Sequence, residues 1–302
     1  MFVLSGLTTK IGGIQTRMLT CQMLIRTVEV VLDAKICAIK HTRKEMLSKV
    51  ITANIMRTNR LVAIKIIDKN KVPGDFLKKF LPREIAIWQS VKHYNIVELY
   101  GLYEYDNRVM LVSEFGSMGN LLSYVQNHGP TPNSTAVCWG TQLLFALNYL
   151  HERKIGHRDV KLENVIIFSP HTVKLADFGF SRMMANEPTS TTFCGSKSYS
   201  APEVLSGIAY CPYKADMWSF GIVLFVMLTN RMPFAEDTTN DVIIEKQKNR
   251  QYRWPTSVRI EHDAQVTVDN IMTFSPELRT TARQCFSLPW FSKYLAALQQ
   301  ER

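Results

Sequence analysis

His157-Arg158-Asp159-Val160-Lys161-Leu162-Glu163-Asn164, followed by Asp177-Phe178-Gly179 and then by Ala201-Pro202-Glu203, is the stretch that decides how this chain of 302 residues is read. Each piece taken singly is ordinary: an Asp-Phe-Gly is most often a turn, and a lone lysine such as Lys65 most often a solvated side chain. Their order and spacing are not ordinary. Upstream, Val62-Ala63-Ile64-Lys65 carries a lysine at the end of a strand-like run, and Glu84 follows 19 residues later within Pro82-Arg83-Glu84-Ile85. Downstream, Asp216 opens Asp-Met-Trp-Ser-Phe-Gly, and Arg279 stands alone in a late polar stretch.

Working outward, the hydrophobic pattern divides the chain. Ser48–Ile55 and Leu61–Ile67 read as strands across the turn Arg57-Thr58-Asn59, and Phe76–Val91 reads as an amphipathic helix. Val97–Tyr103 and Arg108–Glu114 follow as strands around Asp106-Asn107. Beyond residue 120 the period becomes helical over Leu121–Gln126, Thr135–His151, Ala215–Leu228 and Asp241–Lys248. A β-rich first part and a helix-rich second part predict an α+β fold of two lobes with a cleft between them. Residues 1–46 show no such pattern and are expected to be an irregular basic segment.

Composition excludes several classes. Hydrophobic residues make up 46% and charged residues 21%, which suits a packed core and excludes wholesale disorder. The longest apolar run, Phe220 to Leu228, falls far short of the roughly 20 residues needed to cross a bilayer, so no membrane association is expected. The six cysteines form no C-x-x-C pair, which argues against a zinc site or a disulfide framework and points to a reducing compartment, cytoplasmic or nuclear. The net charge is +10, but residues 1–49 alone hold eight basic and three acidic residues, half of that excess. Charge gathered in one arm does not make a nucleic-acid groove, and no nucleic-acid partner is expected.

The ordered motifs resemble those of eukaryotic serine/threonine protein kinases over residues 47–291, with an N-lobe at 47–114 and a C-lobe at 120–291. The stretch Asp75-Phe-Leu-Lys-Lys-Phe-Leu-Pro-Arg-Glu84, together with Thr192-Phe193-Cys194-Gly195-Ser196, is most similar to the testis-specific kinases of the calmodulin-dependent group. That implies a role in sperm development. The eleven residues after Phe291 resemble the short tails of that group and leave no calmodulin-binding extension.

The resemblance assigns roles residue by residue. Asp159 orients the attacking hydroxyl, Lys161 steadies the transferring phosphoryl group, and Lys65, held by Glu84, neutralises the phosphates. Asn164 and Asp177 present oxygen atoms to Mg2+, a hard cation. ATP is the implied co-substrate, its adenine lying among Val50, Ala63, Glu114, Gly116, Leu121 and Ile166. Trp88, Leu99, Phe178 and His157 would form one apolar stack anchored at Asp216. Glu203 is the implied partner of Arg279. Ser113, before Glu114, takes a wall position that the family commonly fills with a larger side chain. Lys161 and Ser196 imply protein serine or threonine hydroxyls as substrate, and Glu163 implies a weak basic preference. Thr192 is the implied acceptor of phosphate from an upstream kinase, with Arg158 as the pairing cation.

One element departs from the family. The phosphate-covering loop should carry glycines at the positions occupied by Arg43, Glu45 and Ser48, counting back from Val50, which precedes Lys65 by 15 residues. Glycine lets the backbone approach phosphate closely. The alternative to an active enzyme is therefore an impaired kinase or scaffold.

Overall fold

The computed structural model describes residues 48–55, 58–184, 189–234 and 238–300, and before residue 48 only the backbone of four strands. The chain divides into two compact units, Met1–Ser90 with Val97–Phe115, and Val91–Ile96 with Gly116–Arg302.

The first unit is built on one sheet. Its strands are β1 (Thr8–Ile11), β2 (Ile14–Met18), β3 (Val30–Leu32), β4 (Ala34–Lys44), β5 (Ser48–Ile55), β6 (Arg60–Asp68), β7 (Leu99–Tyr105) and β8 (Arg108–Glu114). They lie in the order β1-β2-β7-β8-β6-β5-β4-β3. The β5–β6 register is continuous from Ser48↔Ile67 to Ile55↔Arg60, and β6 pairs with β8 from Val62↔Glu114 to Asp68↔Arg108. Alternation in these β-branched runs puts Ile51, Ala53, Val62, Ile64, Met110 and Val112 into one buried cluster, which fixes the register because a one-residue slip would turn these side chains out. Asn59 at φ 52° and Asp106 at φ 50° make the turns, side chains that tolerate the left-handed region.

Two expectations need correction here. Residues 1–46 are not wholly irregular, since β1 to β4 run through them and β4 pairs antiparallel with β5, with Arg43 opposite Val50. Without β4, β5 would leave a row of backbone donors and acceptors unpaired, and strand pairing satisfies them. The helix expected over 76–91 begins as a wide five-residue π turn, Phe76–Phe80, and becomes α-helical only as α1 (Leu81–Ser90). Pro82 lacks the N–H that a regular helix would send back to the preceding turn.

The second unit is helical: α2 (Leu121–His128), α3 (Asn133–Glu152), α4 (Pro202–Leu205), α5 (Pro212–Thr229), α6 (Asn240–Lys248), α7 (His262–Ile271), α8 (Ala282–Cys285) and α9 (Pro289–Gln300). Two small hairpin sheets pair β10 (Val165–Ser169) with β11 (Thr172–Leu175), and β9 (Ile155–Gly156) with β12 (Arg182–Met183). Helix α5 is apolar on every face and has 15 of its 18 residues buried, so it forms the centre of this unit. Pro212 occupies its first turn and Asn230 closes it at φ 53°. Helices α7 and α9 lie beyond the segments that the pattern marked. Among the described residues, no helix is long and apolar enough to cross a membrane.

One buried ion pair ties the lower helices together. Arg279, 1% exposed, donates to both oxygens of Glu203 at 2.6 and 3.0 Å and to the carbonyls of Thr273, Phe274 and Lys214. Arg279→Ala should lower unfolding free energy by about 3–5 kcal/mol, because Glu203 is left charged in a buried site. Urea denaturation of the two proteins measures this, and a change below about 1 kcal/mol would show that the pair adds little.

Candidate active site

Each unit carries its own part of the expected constellation. In the first, β6 carries the half-buried Lys65 between the buried Ile64 and Ile67, opposite Val50 in the β5 ladder and Leu111 in β8. Its Nζ reaches Glu84 Oε1 on α1 at 2.9 Å, and Glu84 is 1% exposed. A carboxylate at that depth needs a cation, so the pair locks the lysine's flexible stem and docks α1 on the sheet together. Ala63 is partly exposed and pairs with Ser113, and Val62 pairs with Glu114 at the sheet end. Trp88 packs in this unit and donates its indole N–H to the Val97 carbonyl at 2.7 Å, while Leu99 starts β7.

In the second unit the catalytic-loop residues converge on Asp216. Its carboxylate, 1% exposed at the start of α5, accepts the backbone N–H of His157 at 2.8 Å and of Arg158 at 2.7 Å. His151 at the end of α3 donates Nε2–H to the same carboxylate at 3.0 Å. These bonds hold Arg158 at φ 64°, a left-handed backbone that a non-glycine residue adopts only when its surroundings impose it.

Asp159 follows directly. Asn164 donates its Nδ2 to the Asp159 carbonyl at 2.8 Å and carboxylate at 3.0 Å, which leaves the Asn164 amide oxygen as the acceptor atom. Lys161 Nζ lies 2.7 Å from Asp159 Oδ2 and 3.1 Å from Ser196 Oγ, and that hydroxyl in turn points to Asp159 Oδ1 at 3.5 Å. Carboxylate, ammonium and hydroxyl thus form a closed triangle. Gly195 permits it: at φ 91°, a Cβ there would sit 2.7 Å from the Arg158 carbonyl oxygen.

Asp177 has φ 65° and accepts the Gly179 N–H at 3.2 Å. Phe178 is fully buried with its ring edge-on to His157 at 5.4 Å, the part of the expected stack that falls in this unit. Ile166 in β10 bridges to Asn120, and its Cγ2 is where a Cβ on residue 116 would come within 2.3 Å, so Gly116 is required by that close approach. Leu121 is fully buried in α2. Tyr199 donates to Glu163 at 3.4 Å.

A metal ion fits the chemistry of the donor set. Asn164 and Asp177 supply oxygen only, which suits Mg2+. Among the described residues no cluster of three or more His, Cys, Asp or Glu side chains comes together.

Thr192 is exposed, whereas Arg158 donates Nη1 to the Ser190 hydroxyl at 3.2 Å and Nε to the Phe180 carbonyl at 2.7 Å. Ser190, Tyr210 and His151 were not singled out from the sequence, because nothing in their spacing links them to the motifs. Glu45 lies outside the described residues, and of Arg43 the structure gives the backbone alone. A cavity beneath the loop is lined by Arg158, Asp159, Cys194, Ser196, Tyr210 and Asp216. Burial pushes the Cys194 thiol up from its ordinary value, with Arg158 opposing.

The family model described as protein kinase domain matches residues 46–291. The chain belongs to the serine/threonine protein kinase family. Testis-specific serine/threonine-protein kinase 3 of Homo sapiens is 36% identical over 248 residues, 81% of this chain and 91% of the relative. Testis-specific serine/threonine-protein kinase 1 of Mus musculus is 39% identical over 216 residues, 70% of this chain and 59% of the relative. A probable serine/threonine-protein kinase of Saccharomyces cerevisiae is 34% identical over 256 residues, 82% of this chain. The chain spans a quarter of that yeast protein's length.

Ser113 is 6% exposed and small, beside Glu114 at the end of β8. Ser113→Met should weaken ATP-competitive inhibitors that carry an added aromatic group by about tenfold or more, through overpacking. Inhibition curves on both proteins test this, and equal potency would contradict a small wall at residue 113.

Proposed function

We propose that this kinase-family chain transfers the γ-phosphate of Mg-ATP to serine or threonine hydroxyls of proteins. The triangle of Asp159, Lys161 and Ser196 is the observation that carries this reading. Phosphoryl transfer needs positioning and charge neutralisation more than covalent work. Asp159 Oδ1, next to a hydroxyl already, is placed to receive an incoming substrate hydroxyl and hold its proton. Lys161 adds positive charge beside it, and Lys65, tied to Glu84, supplies charge for the phosphates. Asn164 and Asp177 would hold Mg2+, which when bound neutralises phosphate charge. Val50, Ala63, Glu114, Gly116, Leu121 and Ile166 would receive the adenine. Thr192, being exposed, is proposed as the acceptor for an upstream kinase, with Arg158 as the cation a phosphate there would pair with. The names of the relatives support a role in sperm development, and the placement proposed is the cytoplasm.

Asp159→Asn and Asp177→Asn should each lower phosphotransfer on the order of a hundredfold to a thousandfold, with far smaller changes in melting temperature. Turnover of a purified Asp177→Asn protein at the unaltered rate would sink the assignment.

A second reading, an impaired kinase or scaffold, is favoured by one observation. Strand β4 ends at Lys44 and β5 begins at Ser48, so Arg43 and Ser48 flank the position of the phosphate-covering loop where glycine is expected. ATP should bind more weakly than in relatives with glycines, and adenosine less affected. Glycine at 43, 45 and 48 should strengthen ATP binding by about tenfold or more, leaving adenosine nearly unchanged. Calorimetry with both ligands decides, and identical ATP affinities would remove the loop from the explanation.

A further inference from the structure

We propose that Ser190 is a positioning residue for the catalytic loop, holding the Arg158 side chain through its hydroxyl and ordering the 189–196 segment without a phosphate. The proposal rests on the phosphotransfer reading above and adds a residue to it.

Ser190 is 2% exposed although it lies in a Thr/Ser-rich segment whose neighbours Thr189, Thr191 and Thr192 are all exposed. A backbone bridge fixes it: its N–H donates to the Tyr210 carbonyl at 2.8 Å, and the Tyr210 N–H returns to the Ser190 carbonyl at 2.9 Å. Its Oγ then accepts Arg158 Nη1 at 3.2 Å and the Thr192 N–H at 3.3 Å, filling both lone pairs of the hydroxyl. Tyr210 closes the unit by donating its own hydroxyl to the Thr192 carbonyl at 2.9 Å.

Arg158 carries this order to the reacting end. Its backbone N–H is held by Asp216 at φ 64°, its Nε by the Phe180 carbonyl just past Asp177-Phe178-Gly179, and its Nη1 by Ser190. The next residue is Asp159. The Arg158 carbonyl lies against Gly195, one residue before the Ser196 that contacts Asp159 and Lys161. Removing the Ser190 acceptor leaves a donor of a largely buried guanidinium without its partner, and the strained turn loses a side-chain anchor. The two described bonds use two of the five guanidinium N–H groups, so a phosphate on Thr192 would add to this anchor rather than replace it.

The full chain, treated with phosphatase and checked by mass spectrometry for residues 189–192, tests the proposal with casein and Mg-ATP as substrates. Ser190→Ala should lower kcat about tenfold at unchanged KM for ATP, and should speed hydrogen exchange at the Ser190 and Tyr210 amides. Ser190→Thr should restore both. Ser190→Cys, which keeps the volume but weakens the acceptor, takes the place of Ser190→Ala if that protein does not fold. Wild-type kcat in the alanine variant overturns the proposal, whatever its exchange rates. So does turnover that appears only with phosphate on Thr192 and is indifferent to Ser190. If the wild-type chain transfers no phosphate with or without Thr192 phosphorylated, the phosphotransfer reading fails. The exchange data then decide the anchor alone: faster exchange in Ser190→Ala, reversed in Ser190→Thr, supports it, and equal exchange overturns it.

Discussion

The carboxylate of Asp216 is the constraint from which the site follows. It is buried at the start of a helix that is itself apolar all round, where an ionised group is tolerated only if donors surround it. Those donors are the N–H groups of His157 and Arg158 and the ring of His151. Satisfying Asp216 therefore bends the catalytic loop into a left-handed turn at Arg158, and that turn sets the direction of Asp159. The core helix and the Asp159 carboxylate are connected by two hydrogen bonds and two residues of chain.

The first unit solves a matching problem with different means. A lysine stem has many rotamers, and only a fixed partner keeps its ammonium in one place. The sheet places Lys65 on the strand between β5 and β8, and the buried Glu84 of α1 restricts the ammonium. The apolar cluster around Ile64 and Val112 holds the register, so Lys65 keeps the face it is on.

Much of the site was legible because its residues lie close in sequence or repeat known spacings. Asp159, Lys161 and Asn164 sit within six positions of one another, and the loop geometry joins them by hydrogen bonds. The strands 48–55 and 108–114 were legible as short apolar, β-branched runs between turn residues, and 109–113 is buried on both faces. The opening turn of the 76–91 helix was not, because periodicity ignores the missing N–H of Pro82. The strands up to residue 44 were not either, since β2 and β4 join the sheet at its edges β7 and β5, and β1 and β3 pair with those two, through main-chain groups.

The sequence by itself determined the family, the order of the two units and the identity of the charged residues proposed for phosphoryl transfer, because these depend on residue types at short, fixed separations. Tertiary structure alone decided which partners complete them. Arg158 meets Ser190 across 32 positions and Asp216 across 58. Ser190 meets Tyr210 through backbone atoms that every residue possesses. A hydrogen bond between main-chain groups leaves no mark in side-chain identity, and so only the folded chain shows that a serine in a threonine-rich turn is buried against the catalytic loop.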